Sequence, residues 1–297
     1  MGNNRVFALF AAFMVQVIYG LTFTFANDVI DNGHIKPYGF ILLRIIGATI
    51  LFWILSLFTP TEKIDRKDYF KFFIASIFGI ALNMLTFFKG LEFTTPIHAS
   101  VIMTVVPIVV LVLSAVFLKE RITHLKFIGI LLGFLGAIVL SIYGRSNQVG
   151  DNILLGNTLV FINAVSYSIY LILIKKITDK YHPFTFIRWL FLFGLFMVLP
   201  FGYEELAEVT WITFSPYIIF SVAFVILGAT FATYLLNPLA LRHLKASTVS
   251  TFLYIQPVIA GIFAIIMGSD TINSIKLLAA LLIFTGVYLV TKKPALK

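Results

Sequence analysis

The sequence predicts an all-α membrane protein, with ten transmembrane helices arranged as two inverted-topology repeats of five. Three observations predict it. Hydrophobic residues make up 60% of the 297 residues and charged residues only 12%, about half the roughly 25% of an ordinary soluble domain. Lys and Arg crowd into alternate loops. The second half of the chain repeats the first after an odd number of crossings.

The composition excludes several classes at once. So few charges cannot cover a water-soluble enzyme, a disordered chain or a nucleic-acid binder with a solvated basic face. The chain has no Cys, which excludes disulfides, thiolate metal sites and Cys nucleophiles.

A helical crossing takes about 20 predominantly apolar residues. Ten stretches qualify: 6–27 (span 1), 37–58 (span 2), 70–90 (span 3), 96–118 (span 4), 125–143 (span 5), 153–174 (span 6), 183–201 (span 7), 213–237 (span 8), 247–268 (span 9) and 274–291 (span 10). The connections are too short for a soluble domain. Span 1 has only Arg5 ahead of it and no small-residue cleavage site, so it reads as a retained span. The apolar runs are too long, and alternate too little, for a β-barrel.

Orientation follows from the loops. With the N-terminus inside, sixteen of the 22 Lys and Arg fall on one side, four on the other, and Arg44 and Arg188 within spans. Five acids then lie inside and eight outside. That asymmetry puts both termini in the cytoplasm. The chain reads as a multi-pass protein of the cell membrane, the inner membrane if the source is a double-membraned bacterium. The net charge of +9 therefore reports a membrane face and needs no acidic partner.

Residues 91–141 overlay 241–291 without a gap after a shift of 150 positions. Ser100 then meets Ser250, Pro107 meets Pro257, Glu120 meets Asp270, Lys126 meets Lys276 and Gly136 meets Gly286. Arg44 pairs with Arg188 at a slightly different offset. The halves are 1–145 and 150–297, and five spans each forces the second to enter from the opposite side.

Polar side chains inside lipid must face protein or water. In span 1, Gln16, Tyr19, Gly20, Phe23 and Asn27 form one helical face; in span 3, Ser76, Gly79, Asn83 and Phe87 form another. Ser100, Thr104, Pro107 and Ser114 line span 4. Span 6 offers Asn163, Ser166, Tyr167 and Tyr170; span 8 offers Thr230, Thr233, Tyr234 and Asn237; span 9 offers Ser247, Ser250, Thr251 and Tyr254. Gln256 lies beside Pro257. These stripes serve either helix packing or a central cavity with amide and hydroxyl donors and aromatic walls. Spans 5 and 10 lack them and are placed at the periphery, as packing or dimer surfaces. Pro107 and Pro257 are read as mid-span kinks, and Pro238 as ending or kinking span 8.

The buried cations have two readings each. Arg44 either snorkels to the outer surface or meets an anionic substrate or a carbonyl cluster. Arg188 lies closer to a helix end and snorkels more easily. Lys89 sits beside Glu92 and His98, as an interfacial ion pair or a substrate contact at the outer mouth. No Asp or Glu lies deep in a span, which weakens a carboxylate proton relay. No HExxH pair, Walker loop or GxSxG elbow occurs, so the chain reads as neither an enzyme nor an ATP-driven pump. No cofactor or metal is expected.

The run Pro107–Gly136, "PIVVLVLSAVFLKERITHLKFIGILLGFLG", with its mid-helix Pro, its Lys119-Glu120-Arg121 turn and spaced Gly129, Gly133 and Gly136, resembles the drug/metabolite transporter superfamily, in particular EamA-type ten-helix transporters. The segment Asn83–Ser100, "NMLTFFKGLEFTTPIHAS", is similar to the same pattern. The likeness covers the whole chain in two copies. The second departs from it, with Gly268-Ser269-Asp270-Thr271 where the first has Leu118-Lys119-Glu120-Arg121. The resemblance implies two inverted five-helix repeats around a cavity open to one side at a time. It also implies movement of small polar metabolites, often amino acids outward, without ATP. Glu120, ahead of Thr123 as N-cap of span 5, reads as structural or gating.

The expectation is a secondary transporter whose partners are a small-molecule substrate and membrane lipid, with no nucleic acid and with a homodimer through the peripheral helices. Substrate contacts are assigned to Gln16, Tyr19, Arg44, Asn83, Lys89 and His98, and to Asn163, Tyr167, Tyr234, Asn237, Tyr254 and Gln256. The alternative is a nucleotide-sugar or sugar-phosphate exchanger, which needs several cavity cations.

Overall fold

The computed structural model describes residues 2–30, 33–60, 62–94, 96–143, 152–266 and 273–292. Every predicted span is a helix, and no strand occurs among these residues. Among the described residues nine helices are long and apolar enough to cross a membrane, and the shorter apolar helix His124–Val139 lies in span 5. Large apolar side chains such as Phe10, Ile54, Phe127, Phe220 and Leu281 stay exposed around the outside, as lipid-facing positions do.

Helix starts follow local chemistry. Pro37, Pro183 and Pro216 occupy the first turn of spans 2, 7 and 8, where a missing N–H leaves nothing unpaired. Asn152 and Ser215 accept from Leu155 and Ile218 N–H as N-caps. Thr123 and Asn273, equivalent under the shift of 150, accept from the N–H of Lys126 and Lys276 at 3.3 and 2.8 Å. Both copies of the repeat thus start their last helix with the same device.

Pro107 and Pro257 mark breaks, and each break lies just ahead of its proline. Span 4 runs Pro96–Met103, turns at Thr104 and Val105, and restarts as Val106–Phe117. Span 9 runs Ala246–Thr251, tightens to a 3₁₀ turn at Phe252–Ile255, and restarts as Gln256–Ile266. Each Pro is the second residue of its new segment, where it removes no helical bond. Span 8 does not end at Asn237. It passes through buried Pro238 and reaches His243.

The halves interlock. Span 1 packs on spans 8 and 9 of the second half, and span 6 on spans 3 and 4 of the first. Spans 2 and 7 pair directly, as do spans 5 and 10. The last pair meets through glycine: a Cβ on Gly129 would lie 2.7 Å from the Gly286 carbonyl oxygen, and one on Gly286 would strike the Gly129 oxygen. The small-residue faces of spans 5 and 10 therefore bind each other. Only their outer faces, carrying Leu131, Leu135, Leu278 and Phe284, remain exposed.

Candidate substrate site

Two wide π turns organise the centre. One covers Ile77–Ala81 in the helix Asp68–Phe93. The other covers Val225–Ala232 in the helix Pro216–His243. The shift of 150 carries 77–81 onto 227–231, inside the second turn. Both lie near the middle of their helices, facing the opposite half. A π turn displaces its carbonyls from the ordinary helical ladder, and such turns recur at functional sites.

In the first turn, donors from the other half take the displaced carbonyls. Tyr234 donates from its hydroxyl to the Gly79 carbonyl at 2.6 Å, and Ser166 donates to the Phe78 carbonyl at 2.7 Å. Thr230 donates to the Val225 carbonyl at 2.9 Å and accepts from the Arg44 Nε at 3.0 Å. Gly79 is required here, because a Cβ would collide with the Tyr170 ring.

Arg44 corrects the outward-snorkelling reading. It is 7% exposed and turned inward to Thr230 across the spans 2 and 8 contact. Tyr19 and Tyr234 lie within electrostatic reach of its guanidinium, and Tyr19 also contacts Thr233. The aromatic set continues inward. Ring centres are 6.0 Å apart for Tyr170 and Tyr234, 5.9 Å for Tyr167 and Tyr170, and 5.0 Å for Phe191 and Tyr234. Asn237 donates from Nδ2 to the Tyr167 hydroxyl at 2.8 Å. The Tyr170 hydroxyl and the Asn237 Oδ1 are buried without a hydrogen-bond partner.

The structure thus brings together Tyr19, Arg44, Tyr167, Tyr234 and Asn237 from four spans. Four of the predicted residues form two interhelical ties. Asn163 donates to the Asn83 backbone carbonyl at 2.7 Å, and Gln256 donates to the Gln16 Oε1 at 2.7 Å. Asn83 presents its backbone there. Tyr254 is not part of the cluster; its ring fills the groove over Gly133 in span 5. Lys89 spends its charge on Glu92 at 2.6 Å, with its ammonium over the Phe93 ring. The His98, Phe23 and Asn27 side chains lie outside the described residues. Arg188 stacks on Trp53 and Trp189, at 5.2 and 5.8 Å from the ring centres.

Thr230, Tyr170 and the Gly79 carbonyl are the participants that site selection from the sequence missed. Thr230 and Tyr170 stood in the polar stripes, four residues before Tyr234 and three after Tyr167. Nothing in a stripe says which members meet the opposite half.

Charged networks tie the face that carries residues 2 and 292. Arg5 donates to the Thr291 carbonyl at 2.6 Å. Glu62 accepts from the His182 N–H at 2.8 Å and from the Thr185 hydroxyl at 2.6 Å. Lys180 bonds Asp65 and Asp68, and Tyr181 donates to Asp68 at 2.7 Å. The Asp65 and Asp68 carboxylates hold the Lys180 ammonium above the usual lysine range. Partial burial, then neighbouring Arg242, pushes the His182 imidazole below its ordinary value, with Glu62 acting the other way. The Glu120 carboxylate accepts from the Ala246 N–H at 2.9 Å, from the Ser247 hydroxyl, and from Lys126 at 3.3 Å. On the opposite face Lys36 pairs with Glu208 at 2.6 Å, both more than half exposed, so this tie adds little. Among the described residues no group of three His, Asp or Glu is placed to hold a metal ion.

Ten apolar helices, interlocked around a polar centre, define a multi-pass membrane protein. The model of the EamA-like transporter family matches residues 6–142 and again 154–292; the chain belongs to that family and is a membrane transporter. An uncharacterized transporter of Archaeoglobus fulgidus is 29% identical over 280 residues, covering 94% of this chain and 97% of its own. The uncharacterized transporter YoaV of Bacillus subtilis is 28% identical over 285 residues, covering 93% and 94%. A crystal structure shares the fold at a TM-score of 0.78 and 15% identity, over 96% of this chain and 98% of that one.

Proposed function

We propose that the protein is a secondary transporter of small organic metabolites, exporting amino acids or related compounds by alternating access. Both termini lie in the cytoplasm, and the cell membrane is its site. One observation carries the reading: the paired π turns at Ile77–Ala81 and Val225–Ala232, whose groups are held by donors from the opposite half. Displaced backbone at mid-membrane, between inverted repeats, is where secondary transporters place substrate. The contacts made by Tyr234 and Arg44 cross between halves, so movement of the repeats remakes them.

Charge on the sixteen-cation face supports the orientation. The exchanger alternative draws less support. A dianionic phosphate calls for several central cations, whereas Lys89 is paired with Glu92 and Arg188 is stacked on tryptophans.

The experiment is a thermal-shift screen of metabolites on purified protein, followed by uptake of the hits into proteoliposomes without ATP. The expected result is uptake of at least one amino acid or relative above empty vesicles. Folded protein that moves no solute in the panel overturns the proposal.

A further inference from the structure

We infer that Arg44 is the specificity-determining residue of the central site, and that it selects a substrate carrying a single carboxylate, clamped between spans 2 and 8. This rests on the transporter reading above and narrows it.

A guanidinium stays charged at any physiological pH. Burying it is expensive unless an anion meets it. Among the described residues no carboxylate pairs with Arg44. Acids seen in ion pairs include Asp65, Asp68, Glu92, Glu120, Asp179 and Glu208, all at helix ends or in loops. Thr230 takes the Nε and turns its own proton to the Val225 carbonyl. The Nε is thus anchored by a neutral partner. The rest of the planar fork is suited to a carboxylate, which guanidinium binds with two parallel bonds.

The repeat supplies a second line of argument. Thr230 maps onto Ile80 under the shift of 150, so the other half offers no hydroxyl at that place. Arg188, the pseudo-equivalent of Arg44, sits on Trp53 and Trp189, and its Nε is buried with no hydrogen-bond partner among the described residues. A packing role inherited by both copies would have kept both environments alike. The departure from symmetry singles out one cation and one anion position. A monocarboxylate matches that charge, and a phosphate dianion leaves a negative charge over in a dry site. The unpartnered Asn237 Oδ1 and Tyr170 hydroxyl are neutral acceptors for an ammonium group, which extends the match to zwitterions.

The test is proteoliposome uptake of each proteinogenic amino acid against its amide and its decarboxylated amine. Wild type, Arg44→Lys, Arg44→Gln and Thr230→Val are compared at equal folded protein. Wild type should prefer at least one acid over its amide by roughly tenfold or more. Arg44→Gln should abolish the preference, and Arg44→Lys should keep part of it. Thr230→Val preserves the side-chain shape, and should weaken the preference even if Arg44→Gln does not fold. Equal uptake of acids and amides by wild type overturns the inference while the transporter reading stands, as does an acid preference undiminished in both Arg44→Gln and Thr230→Val. Uptake of no compound by wild type removes the transporter reading itself.

Discussion

The Glu120 carboxylate caps the first turn of span 9, accepting the Ala246 N–H at 2.9 Å across the two halves of the chain. The same carboxylate holds the Ser247 hydroxyl and buried Lys126. A negative group at a helix N-terminus meets both unpaired N–H groups and the helix dipole. Under the shift of 150, Glu120, Ala246 and Ser247 correspond to Asp270, Pro96 and Ile97. Proline has no N–H and isoleucine no hydroxyl, so the donor set is not repeated there.

Glu120→Ala strands the Lys126 ammonium in a buried place and should lower stability by about 3–5 kcal/mol. Glu120→Gln keeps one acceptor and should lose about 1–3 kcal/mol. Denaturation in detergent measures both. In a double-mutant cycle Lys126→Met should recover part of the Glu120→Ala loss. Wild-type stability in Glu120→Ala would contradict this tie.

Two glycines, Gly286 in the contact between spans 5 and 10 and Gly261 beside open space in span 9, should respond to alanine with opposite signs. Gly286→Ala forces a Cβ onto the Gly129 carbonyl and should destabilise by about 1–3 kcal/mol. Gly261 has nothing within 4 Å of where its Cβ would lie. Gly261→Ala should therefore stabilise the helix by up to about 1 kcal/mol. Melting temperatures of the two variants side by side are the check.

Tyr234→Phe keeps the ring against Phe191 and Tyr170 but leaves the Gly79 carbonyl without its hydroxyl donor. A loss of about 1–3 kcal/mol is expected, together with reduced transport. Unchanged transport and stability would separate the π turn from function.

His182 gives a pH dependence of known sign. Its pKa lies below the ordinary 6.5, so the unfolded chain binds the proton more readily. Its contribution is complete above pH 6.5 and is lost as pH falls toward the depressed folded value. Protonation also removes the Nδ1 acceptor that caps the Phe184 N–H. Stability should therefore drop as pH falls below the ordinary histidine range, and His182→Asn should flatten that part of the profile. Equal slopes in both proteins would contradict it.

Much of the fold is legible in the sequence because membrane helices are written locally. Apolar length marks each crossing, and Pro37, Pro183, Thr123 and Asn273 mark starts. The aligned Pro107 and Pro257 correctly marked two equivalent breaks, although each helix opens just before its proline. The site is less legible. A stripe such as Thr230, Thr233, Tyr234, Asn237 states a face and not a partner. It could not say that Thr230 meets Arg44 or that Tyr254 turns to Gly133. The π turns carry no residue signature, since the extra residue is accommodated by packing against the opposite half. The two readings of Arg44 stay open in the sequence for the same reason: snorkelling is the local solution, and Thr230 is 186 residues away.

A carrier loaded between its two halves from one side at a time, as proposed, exchanges labelled for unlabelled substrate. Counterflow tests it most directly. Proteoliposomes preloaded with an unlabelled substrate from the screen are diluted into trace labelled substrate, without ATP or ion gradients. Wild-type protein should show transient accumulation of label above the outside concentration, and empty vesicles none. Simple equilibration of label, with no overshoot in wild-type protein, would contradict it.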